Sequence, residues 1–539
     1  MRIGLLTEGG YPYVSGEATL WCDRLVHGLA QHEFDLYALG RTPEQQRAGL
    51  MAVPDQVRRT FASPLWAPPE GPEARGRRAR RRFREHYGEL ATCLTEPEGE
   101  ATLADRFGAA LRGLADLAWD HGVLTGLLRS ETAVRVLERA CHRHGAPRAA
   151  RGADVADLLT VAAATERALR PLSLDWYDDH ALAAADVCHA ASGGPAALPG
   201  VLARHYFGVP LLVSEYGVQL RAHYLRRDTG TPAVRALLAA LHGRLATETY
   251  RTASLVTSGT AHAERWQRRC GADPRRLRTV HPGLDAARFD EAAENGSGGD
   301  PDTLVWVGRI APAKDLDTLL RAFALLRARR PAARLRLIGA NGANGANGAN
   351  GASDGYLAHC RALAARILPA GAVTFEDIHD PATPELADAY TAGAVVVLSS
   401  TVEGFPISLV EAMFCGCATV STDTGAVPEI IGGTGLVVPP RDPAALADAC
   451  AGLLGDPERR ALLGAAARAR ALELFTVEQN VAAFHALYLD LVSHCPAAPA
   501  PTPFARPAEA RVPVDWTPGP PLAAAGAYQA PAAAVGAQR

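Results

Sequence analysis

Residues 394 to 431 hold a strand–loop–helix pattern that strongly limits the folds open to this chain. Ala394 to Leu398 is a short, unbroken apolar run rich in valine, typical of a parallel strand covered on both faces. Ser399 to Pro406 is polar and contains glycine and proline, which predicts a loop at the carboxyl end of that strand. Ile407 to Cys415 predicts a helix that ends at Gly416. The pattern predicts an open α/β sheet that binds its ligand where this loop meets this helix.

Two carboxylates border the predicted crevice. Glu403 lies in the loop, and Glu411 lies about one turn into the helix. Because a carboxylate repels phosphate, hydroxyl groups are the better partners for both. We therefore expect Glu411 to accept from a ribose and the Glu403 loop to hold a sugar. The alternative is that both are ordinary exposed glutamates.

The length and composition of the chain set broad limits. At 539 residues it is too long for one ordinary core, and two domains with additions are expected. The formal net charge of −3 favours neither nucleic acid nor membrane binding, and no apolar run approaches the length of a transmembrane helix. The ten cysteines are scattered without zinc-site spacing. With no signal-like segment at Met1, we expect free thiols in a reducing cytoplasm.

The first residues predict a βαβ opening. Strands are expected at Arg2 to Thr7 and Phe34 to Leu39, with a helix over Ala18 to Gln31 between them. The joining loop runs from Glu8 to Gly16 and contains three glycines, which let the backbone approach a ligand closely. Many α/β domains begin in this way, so the loop alone is a weak functional signal.

Residues 41 to 170 lack regular α/β alternation, which predicts a helical insertion over about 70 to 170. Its strongly basic run, Arg75 to Arg84, is interpreted as a solvated helical face. The alternative is a surface that meets an anionic acceptor, a lipid headgroup or a partner protein.

Alternation resumes with strands at Val187 to Ala191, Leu211 to Ser214 and Leu255 to Ser258. Tyr216 and Arg221 follow the middle strand and are candidates for the cleft. The glycine-rich segment 294 to 301 predicts a flexible joint between domains.

The second predicted domain opens with a strand at Leu304 to Val307. Gly308 and Arg309 follow it, and Lys314 comes five residues later, before a helix. Two cations beside a glycine at a strand-to-helix junction suit a diphosphate. Ordinary surface cations are the alternative.

Two segments have low complexity. Four Asn-Gly-Ala copies at 341 to 352 predict an expanded surface loop with no assigned function. Helices are expected at 443 to 454, 457 to 474 and 477 to 492. The Pro/Ala-rich residues 495 to 539 are expected to be disordered.

The Gly308-Arg309…Lys314 and Glu403…Glu411 motifs together resemble the donor site of the retaining GT-B glycosyltransferases of family 4. The N-terminal sequence, with Gly16 and Trp21, looks like the start of the subgroup that makes Pel-type exopolysaccharide (PelF-like). That subgroup usually has a second glycine where Glu17 stands, and relatives carry a histidine where Tyr216 stands.

The resemblance implies an α/β, GT-B fold, in which two Rossmann-like domains face each other across a cleft and the N-terminal one carries the helical insertion. It implies an acceptor-side domain at 1–293, a nucleotide-sugar domain at 302–474 and a crossover helix at 475–492.

The resemblance also implies the site residues. Arg309, Lys314 and Glu403 would act in catalysis, and Glu8, Tyr216 and Arg221 would face the acceptor. The residues implied to bind the donor are Gly16, Gly308, Ile378, Gly404, Phe405, Pro406, Ile407 and Glu411.

The implied activity is transfer of a hexose, glucose by analogy, from a nucleoside diphosphate sugar such as UDP-glucose to a glycan or other hydroxyl acceptor. The anomeric configuration would be retained, with no metal and no cofactor. Asp315-Leu316-Asp317 is interpreted as the acidic first turn of a helix. The alternatives are a hydrolysing UDP-sugar epimerase and a non-catalytic nucleotide-sugar-binding or scaffold protein. The sequence predicts neither the acceptor nor the oligomeric state.

Overall fold

The computed structural model of the chain describes residues 1–13, 17–40, 45, 52–65, 76–96, 102–225, 230–294, 299–340, 350–378 and 386–494. Gly16, Arg75, most of the Asn-Gly-Ala repeat and the segment 495–539 lie outside the described residues.

Two parallel sheets organise the chain. The strands of the first sheet are β1 Arg2–Glu8, β2 Glu33–Gly40, β3 Val57–Pro64, β4 Val187–Ala190, β5 Leu211–Glu215, β6 Leu255–Ser258 and β7 Leu277–Thr279. The strands of the second are β8 Asp300–Arg309, β9 Arg334–Ala340, β10 Val373–Asp377, β11 Gly393–Leu398, β12 Thr419–Thr422 and β13 Leu436–Val438.

Both sheets are doubly wound. Their orders are β3-β2-β1-β4-β5-β6-β7 and β10-β9-β8-β11-β12-β13. In each sheet the strand order reverses beside the first strand, between β1 and β4 and between β8 and β11. Ligands of such sheets bind in the crevice beyond the carboxyl ends of the strands at this switch point. The predicted fold class of two Rossmann-like domains is confirmed.

Helices cover both faces of the sheets. Those before the second sheet are α1 Glu17–Gly28, α2 Arg77–Thr95, α3 Leu103–His121, α4 Leu124–Leu128, α5 Glu131–Cys141, α6 Arg148–Arg151, α7 Val155–Leu169, α8 Leu198–Phe207, α9 Gln219–Leu225, α10 Pro232–Thr252, α11 Ala261–Arg269 and α12 Asp290–Glu294. The later ones are α13 Leu316–Arg329, α14 Asn350–Ile367, α15 Leu386–Thr391, α16 Ile407–Phe414, α17 Val427–Ile431, α18 Pro443–Gly455, α19 Pro457–Leu474 and α20 Val477–His494.

The prediction that residues 41 to 170 lack α/β alternation missed β3, which pairs in parallel with β2. Its sequence, VRRTFASP, alternates between partly buried and exposed positions, and it lies at the edge of the sheet. An edge strand buries less of its surface than a central one, so β3 lacks the continuous apolar run of a central strand such as β11, GAVVVL.

The insertion packs through its apolar faces. Ala79, Phe83 and Tyr87 of α2 are buried, while most of the arginines between them point outward. Arg82 pairs with Asp120 of α3 at 2.6 Å.

The final helix, α20, packs on the first domain. Phe484 and Tyr488 are fully buried in one cluster with Trp21 and Leu25. Tyr488 Oη also lies 2.6 Å from His189 Nδ1 of β4. The last described helix therefore returns to the sheet with which the chain began.

Candidate active site

The switch point of the second sheet brings the predicted cation and the predicted carboxylate together. Lys314 Nζ lies 2.5 Å from Glu403 Oε1, and both side chains are largely buried. Two further bonds tie the loop after β8 to the loop after β11. Ser399 Oγ donates to the Lys314 carbonyl at 2.8 Å, and the Thr401 N–H donates to the Ala313 carbonyl at 2.8 Å.

Lys314 is the only lysine in the sequence, since the other 54 of its 55 basic residues are arginines. A lysine ammonium is a compact point charge on a flexible stem, whereas guanidinium is a planar fork. A chain that otherwise uses arginine throughout thus keeps an ammonium where the two loops meet. The presence of a single lysine could therefore have indicated the site from the sequence, independently of the motif.

Arg309 ends β8, next to half-buried Gly308, and its side chain is exposed. This side chain forms no hydrogen bond or ion pair with any residue that the structure describes. Its guanidinium is therefore available to a ligand at the same strand end.

The loop that carries Glu403 is fixed from behind by Gly425. Gly425 has a φ of +58°, and a Cβ atom there would lie 2.0 Å from the Glu403 carbonyl oxygen. Glycine satisfies both the positive φ and the close approach. Gly404 faces open space, and the Phe405 ring packs edge-on against Phe475 at 5.9 Å.

Helix α16 begins at Ile407, just after Pro406, but the Ile407 N–H already donates to the Phe405 carbonyl at 3.1 Å. This N–H is engaged within the loop, and the predicted donor contact of Ile407 stays a prediction. Glu411 is 8 % exposed and accepts from Tyr390 Oη at 2.6 Å. The predicted ribose contact of Glu411 remains a prediction.

Ile378 lies just after β10 and donates its N–H to the Gly339 carbonyl at 3.2 Å. Its predicted contact with the base also stays a prediction. Asp315 and Asp317 lie at the start of a helix, as predicted. Asp315 caps α13 by accepting from the Thr318 N–H, and Asp317 pairs with His359 at 2.9 Å.

On the first domain, the predicted cleft residues lie at the end of β1 and after β5. Glu8 is half-buried at the end of β1. Tyr216 Oη accepts from Asn480 Nδ2 of α20 at 3.3 Å, and its ring meets Trp21 edge-on at 5.2 Å. Burial raises the pKa of Tyr216. This tyrosine therefore joins the first sheet to α20, and its predicted role toward an acceptor is untested.

Arg221 reaches across to the second domain. Its Nη2 donates to the Glu403 carbonyl at 2.9 Å, although the two residues are 182 positions apart. Burial lowers the pKa of Arg221. Sequence reasoning placed Arg221 in the cleft but did not identify this contact.

Two further residues at this interface were not among the predicted site residues. The Glu429 carboxylate of α17 accepts the Ala261 N–H, the first of α11, at 2.9 and 2.8 Å. His262 follows in α11, and a single histidine at the start of a helix gave no signal in the sequence.

A cavity of about 580 Å³ lies elsewhere, between α9, α10 and the insertion. His223, Arg235 and Arg244 are among its lining residues. None of the predicted donor-site residues lines it. We place the candidate active site at the switch point because the charged groups converge there.

Metal-binding clusters, membrane-spanning helices and disulfide bonds are absent from the described parts of the chain. Those residues hold no group of three or more His, Cys, Asp or Glu side chains that could bind a metal ion. No helix within them is long and apolar enough to cross a membrane. All nine described cysteines are buried free thiols.

Two Rossmann-like domains, with a cation–carboxylate pair at the switch point of the second, define a protein of the GT-B class. The chain belongs to the family described as "Domain of unknown function (DUF3492)", which matches residues 1–275 of the 539. Residues 301–456 match the family "Glycosyl transferases group 1".

Curated relatives resemble part of the chain. D-inositol 3-phosphate glycosyltransferase 2 of Catenulispora acidiphila is 37 % identical over 221 residues, which are 39 % of this chain and 50 % of the relative. D-inositol 3-phosphate glycosyltransferase of Rhodococcus opacus is 34 % identical over 278 residues, which are 50 % of this chain and 59 % of the relative. The chain thus spans about half the length of these relatives.

Solved structures share the fold across nearly the whole chain. Sucrose-phosphate synthase from Thermosynechococcus elongatus matches with a TM-score of 0.56 and 18 % identity, covering 92 % of this chain and 99 % of that one. Anabaena HepE in complex with UDP and glucose matches with a TM-score of 0.52 and 14 % identity, covering 90 % and 99 %.

Proposed function

We propose that this protein is a retaining glycosyltransferase that transfers glucose from UDP-glucose to a hydroxyl group of a glycan or other acceptor. The observation that carries the proposal is the Lys314–Glu403 pair at the switch point of the second sheet, with Arg309 unpaired beside it among the described residues. The match of residues 301–456 to glycosyl transferases and the fold of a protein crystallised with UDP and glucose support it.

The chemistry follows from the charges. As the glycosidic bond of the donor breaks, its diphosphate gains negative charge. Arg309 and Lys314 are cations from the same strand end that stabilise this charge, and they do so without a metal. Preorganised groups of this kind typically contribute about 3 to 4 kcal/mol to transition-state stabilisation.

Glu403 orients the donor sugar and holds Lys314 in place before the donor arrives. Transfer with retention proceeds by attack of the acceptor hydroxyl on the face that the diphosphate leaves. The departing phosphate accepts the proton of the acceptor hydroxyl, so no protein nucleophile is required.

The single lysine allows a direct test of donor binding. An amine-reactive acylating reagent should modify Lys314 and the α-amino group and no other amine, since the sequence has no second lysine. Saturating UDP-glucose should slow acylation of Lys314 at least fivefold and leave the α-amino group unchanged as an internal control. Equal rates at Lys314 with and without the donor would remove the proposed site.

Activity is then measured with radiolabelled UDP-glucose against a panel of glycan and phosphorylated acceptors. Transfer in the presence of EDTA would support metal independence, and NMR of the product would report the anomeric configuration. A panel of UDP-sugars and GDP-sugars, compared by thermal shift, identifies the donor, because stabilisation grows with the ratio of ligand to Kd.

One observation favours a second candidate, a non-catalytic nucleotide-sugar-binding protein of the same fold. Tyr216, at the position where relatives carry a histidine, is engaged by Asn480 and Trp21. Donor protection of Lys314 with no transfer to any acceptor would support that alternative. Free UDP and an altered hexosamine, formed without acceptor, would indicate a hydrolysing epimerase.

The acceptor and the cellular context are further parts of the proposal. The N-terminal motif resembles the subgroup that makes Pel-type exopolysaccharide, whereas the curated relatives are named for D-inositol 3-phosphate. The acceptor panel therefore includes glycans and phosphorylated cyclitols. Arg77, Arg78, Arg81 and Arg84 form an exposed basic stripe on α2. This stripe would give a cytoplasmic enzyme peripheral contact with a membrane or a membrane synthase, which sedimentation with anionic and neutral vesicles would test.

A further inference from the structure

Three cationic or donor side chains form a cluster on the first-domain side of the candidate site: Arg221 of α9, and His262 and Arg265 of α11. Arg221 Nη2 donates to the neutral Glu403 carbonyl at 2.9 Å, and Arg265 Nη2 donates to His262 Nδ1 at 3.1 Å. Neither guanidinium has a carboxylate partner among the described residues.

The hydrogen bond from Arg265 determines which nitrogen of His262 carries the proton. An arginine side chain can only donate, so His262 Nδ1 is the acceptor and Nε2 carries the N–H of the neutral ring. His262 Nε2 is shielded from solvent and has no hydrogen-bond partner in the described part of the chain. This N–H can therefore donate to an acceptor oxygen of a bound group.

The ring is kept neutral by its surroundings. Burial lowers the pKa of His262, and the positive charges of Arg221 and Arg265 lower it further. Both guanidinium groups therefore act electrostatically on one imidazole, although they come from two different helices.

The charges of two nearby carboxylates are neutralised, since Glu264 pairs with Arg268 at 3.0 Å and Glu403 pairs with Lys314. Glu429 accepts only the neutral Ala261 N–H and keeps its charge. The two guanidinium groups of the cluster still exceed this single carboxylate, which leaves a local excess of positive charge next to the loop of Glu403. A neutral sugar hydroxyl would leave this charge uncompensated, but an anion would balance it.

We propose that Arg221, His262 and Arg265 form a binding site for a phosphomonoester group of the acceptor substrate. Two guanidinium forks and one imidazole N–H supply donors for the phosphate oxygens. The assignment to the acceptor rests on the proposed function. The donor diphosphate is assigned to Arg309 and Lys314, and the Arg221 bond to the Glu403 loop places the phosphomonoester site beside the donor sugar.

Inorganic phosphate is the probe that tests this site. The melting temperature of the full chain is measured against phosphate concentration, with sodium chloride at matched ionic strength as reference. The titration is run with and without saturating UDP, which occupies the donor site. We expect phosphate to raise the melting temperature of the wild-type protein in both cases.

Four variants make the test specific. Arg265→Gln and His262→Phe should each weaken phosphate binding at least tenfold. His262→Gln keeps an N–H donor and should stay within about threefold of wild type. Arg268→Gln makes the same charge change on the same helix, at a residue paired with Glu264, and should leave phosphate binding unchanged.

Several results would overturn the site: no phosphate-dependent shift in the wild-type protein, full phosphate binding by Arg265→Gln, or equal loss in Arg268→Gln. Loss of the phosphate shift when UDP is present would also overturn it, because the phosphate would then occupy the donor site. Failure of UDP to bind would count against the proposed function alone, since the phosphate titration of the variants needs no nucleotide.

Discussion

The Glu429 carboxylate accepts the Ala261 backbone N–H through both oxygens, at 2.9 and 2.8 Å, and so joins α17 of the second domain to the amino end of α11 of the first. The free N–H groups at the start of a helix carry partial positive charge, so a carboxylate there is stabilising. Together with the bond from Arg221 to the Glu403 carbonyl, this contact holds the two domains in one arrangement around the candidate site.

Removing the Glu429 carboxylate should destabilise the protein modestly. We expect Glu429→Ala to lower the free energy of unfolding by about 1 kcal/mol, the usual effect of losing a helix-capping group. Urea denaturation followed by circular dichroism measures the difference. Glu473→Ala removes an exposed glutamate of α19 and is the matched control, expected to change stability by less than about 0.5 kcal/mol. Equal stabilities of the two variants would show that the contact contributes nothing.

Lys314 should not tolerate arginine, although arginine supplies every other side-chain cation of the chain except the histidines. A guanidinium is larger and planar, so it cannot replace the ammonium beside Glu403 without moving the loop. We expect Lys314→Arg and Lys314→Ala to lower kcat about 10² to 10³-fold. Arg321→Lys, at an exposed position of α13, is the converse control and should keep wild-type turnover. An active Lys314→Arg enzyme would contradict a specific role for the ammonium.

Alanine substitutions at Gly425 and Gly433 distinguish the effect of backbone strain from the effect of displacing the Glu403 loop. Both have positive φ, +58° and +88°, so alanine at either position should cost about 1 to 2 kcal/mol of stability. A Cβ at Gly425 would lie 2.0 Å from the Glu403 carbonyl oxygen, whereas one at Gly433 would meet nothing within 4 Å. We therefore expect Gly425→Ala to destabilise more and to reduce donor turnover, and Gly433→Ala to leave turnover unchanged. Equal turnover of the two variants would mean that the position of the loop is unimportant.

The strands and the positions of Lys314 and Glu403 could be predicted because both depend on local sequence. Buried parallel strands are continuous apolar runs, and the loops that follow them contain glycine and charge. β3 was not predicted, because a strand at the edge of a sheet does not need a continuous apolar run. The contact between Arg221 and Glu403 joins residues 182 positions apart and depends on how the two domains meet, which no local pattern encodes.

The same limit applies to His262 and Tyr216. The chemistry of His262 depends on Arg221 from another helix and on a bond from Arg265, and the sequence shows only an isolated histidine. Tyr216 could be identified as a departure from the family pattern. Its packing against Trp21 and Asn480 of α20 became visible only in the folded chain.

Glu215 should make stability fall as the pH rises from 4.5 to about 7. It ends β5 with 2 % exposure, and it accepts from Tyr250 Oη and from the Gln219 N–H. Burial raises its pKa from 4.5 to about 7. The native state therefore holds this proton more tightly than the unfolded chain, so the stabilisation is complete below pH 4.5 and is lost as the pH rises to about 7. The shift corresponds to about 3 kcal/mol.

Glu215→Gln cannot ionise and should remove this pH dependence. The test is the free energy of unfolding between pH 4.5 and 8 for wild type, Glu215→Gln and the exposed control Glu473→Gln. The buried imidazole of His189 acts in the opposite sense, because burial lowers its pKa to about 3 and the stability it provides is lost as the pH falls below 6.5. The difference between wild type and Glu215→Gln cancels the His189 contribution, which is common to both. We expect the free energy of unfolding of the wild-type protein to fall relative to that of Glu215→Gln as the pH rises toward 7. Above pH 7 the difference should stay constant. A difference that is flat across this range would show that Glu215 titrates normally.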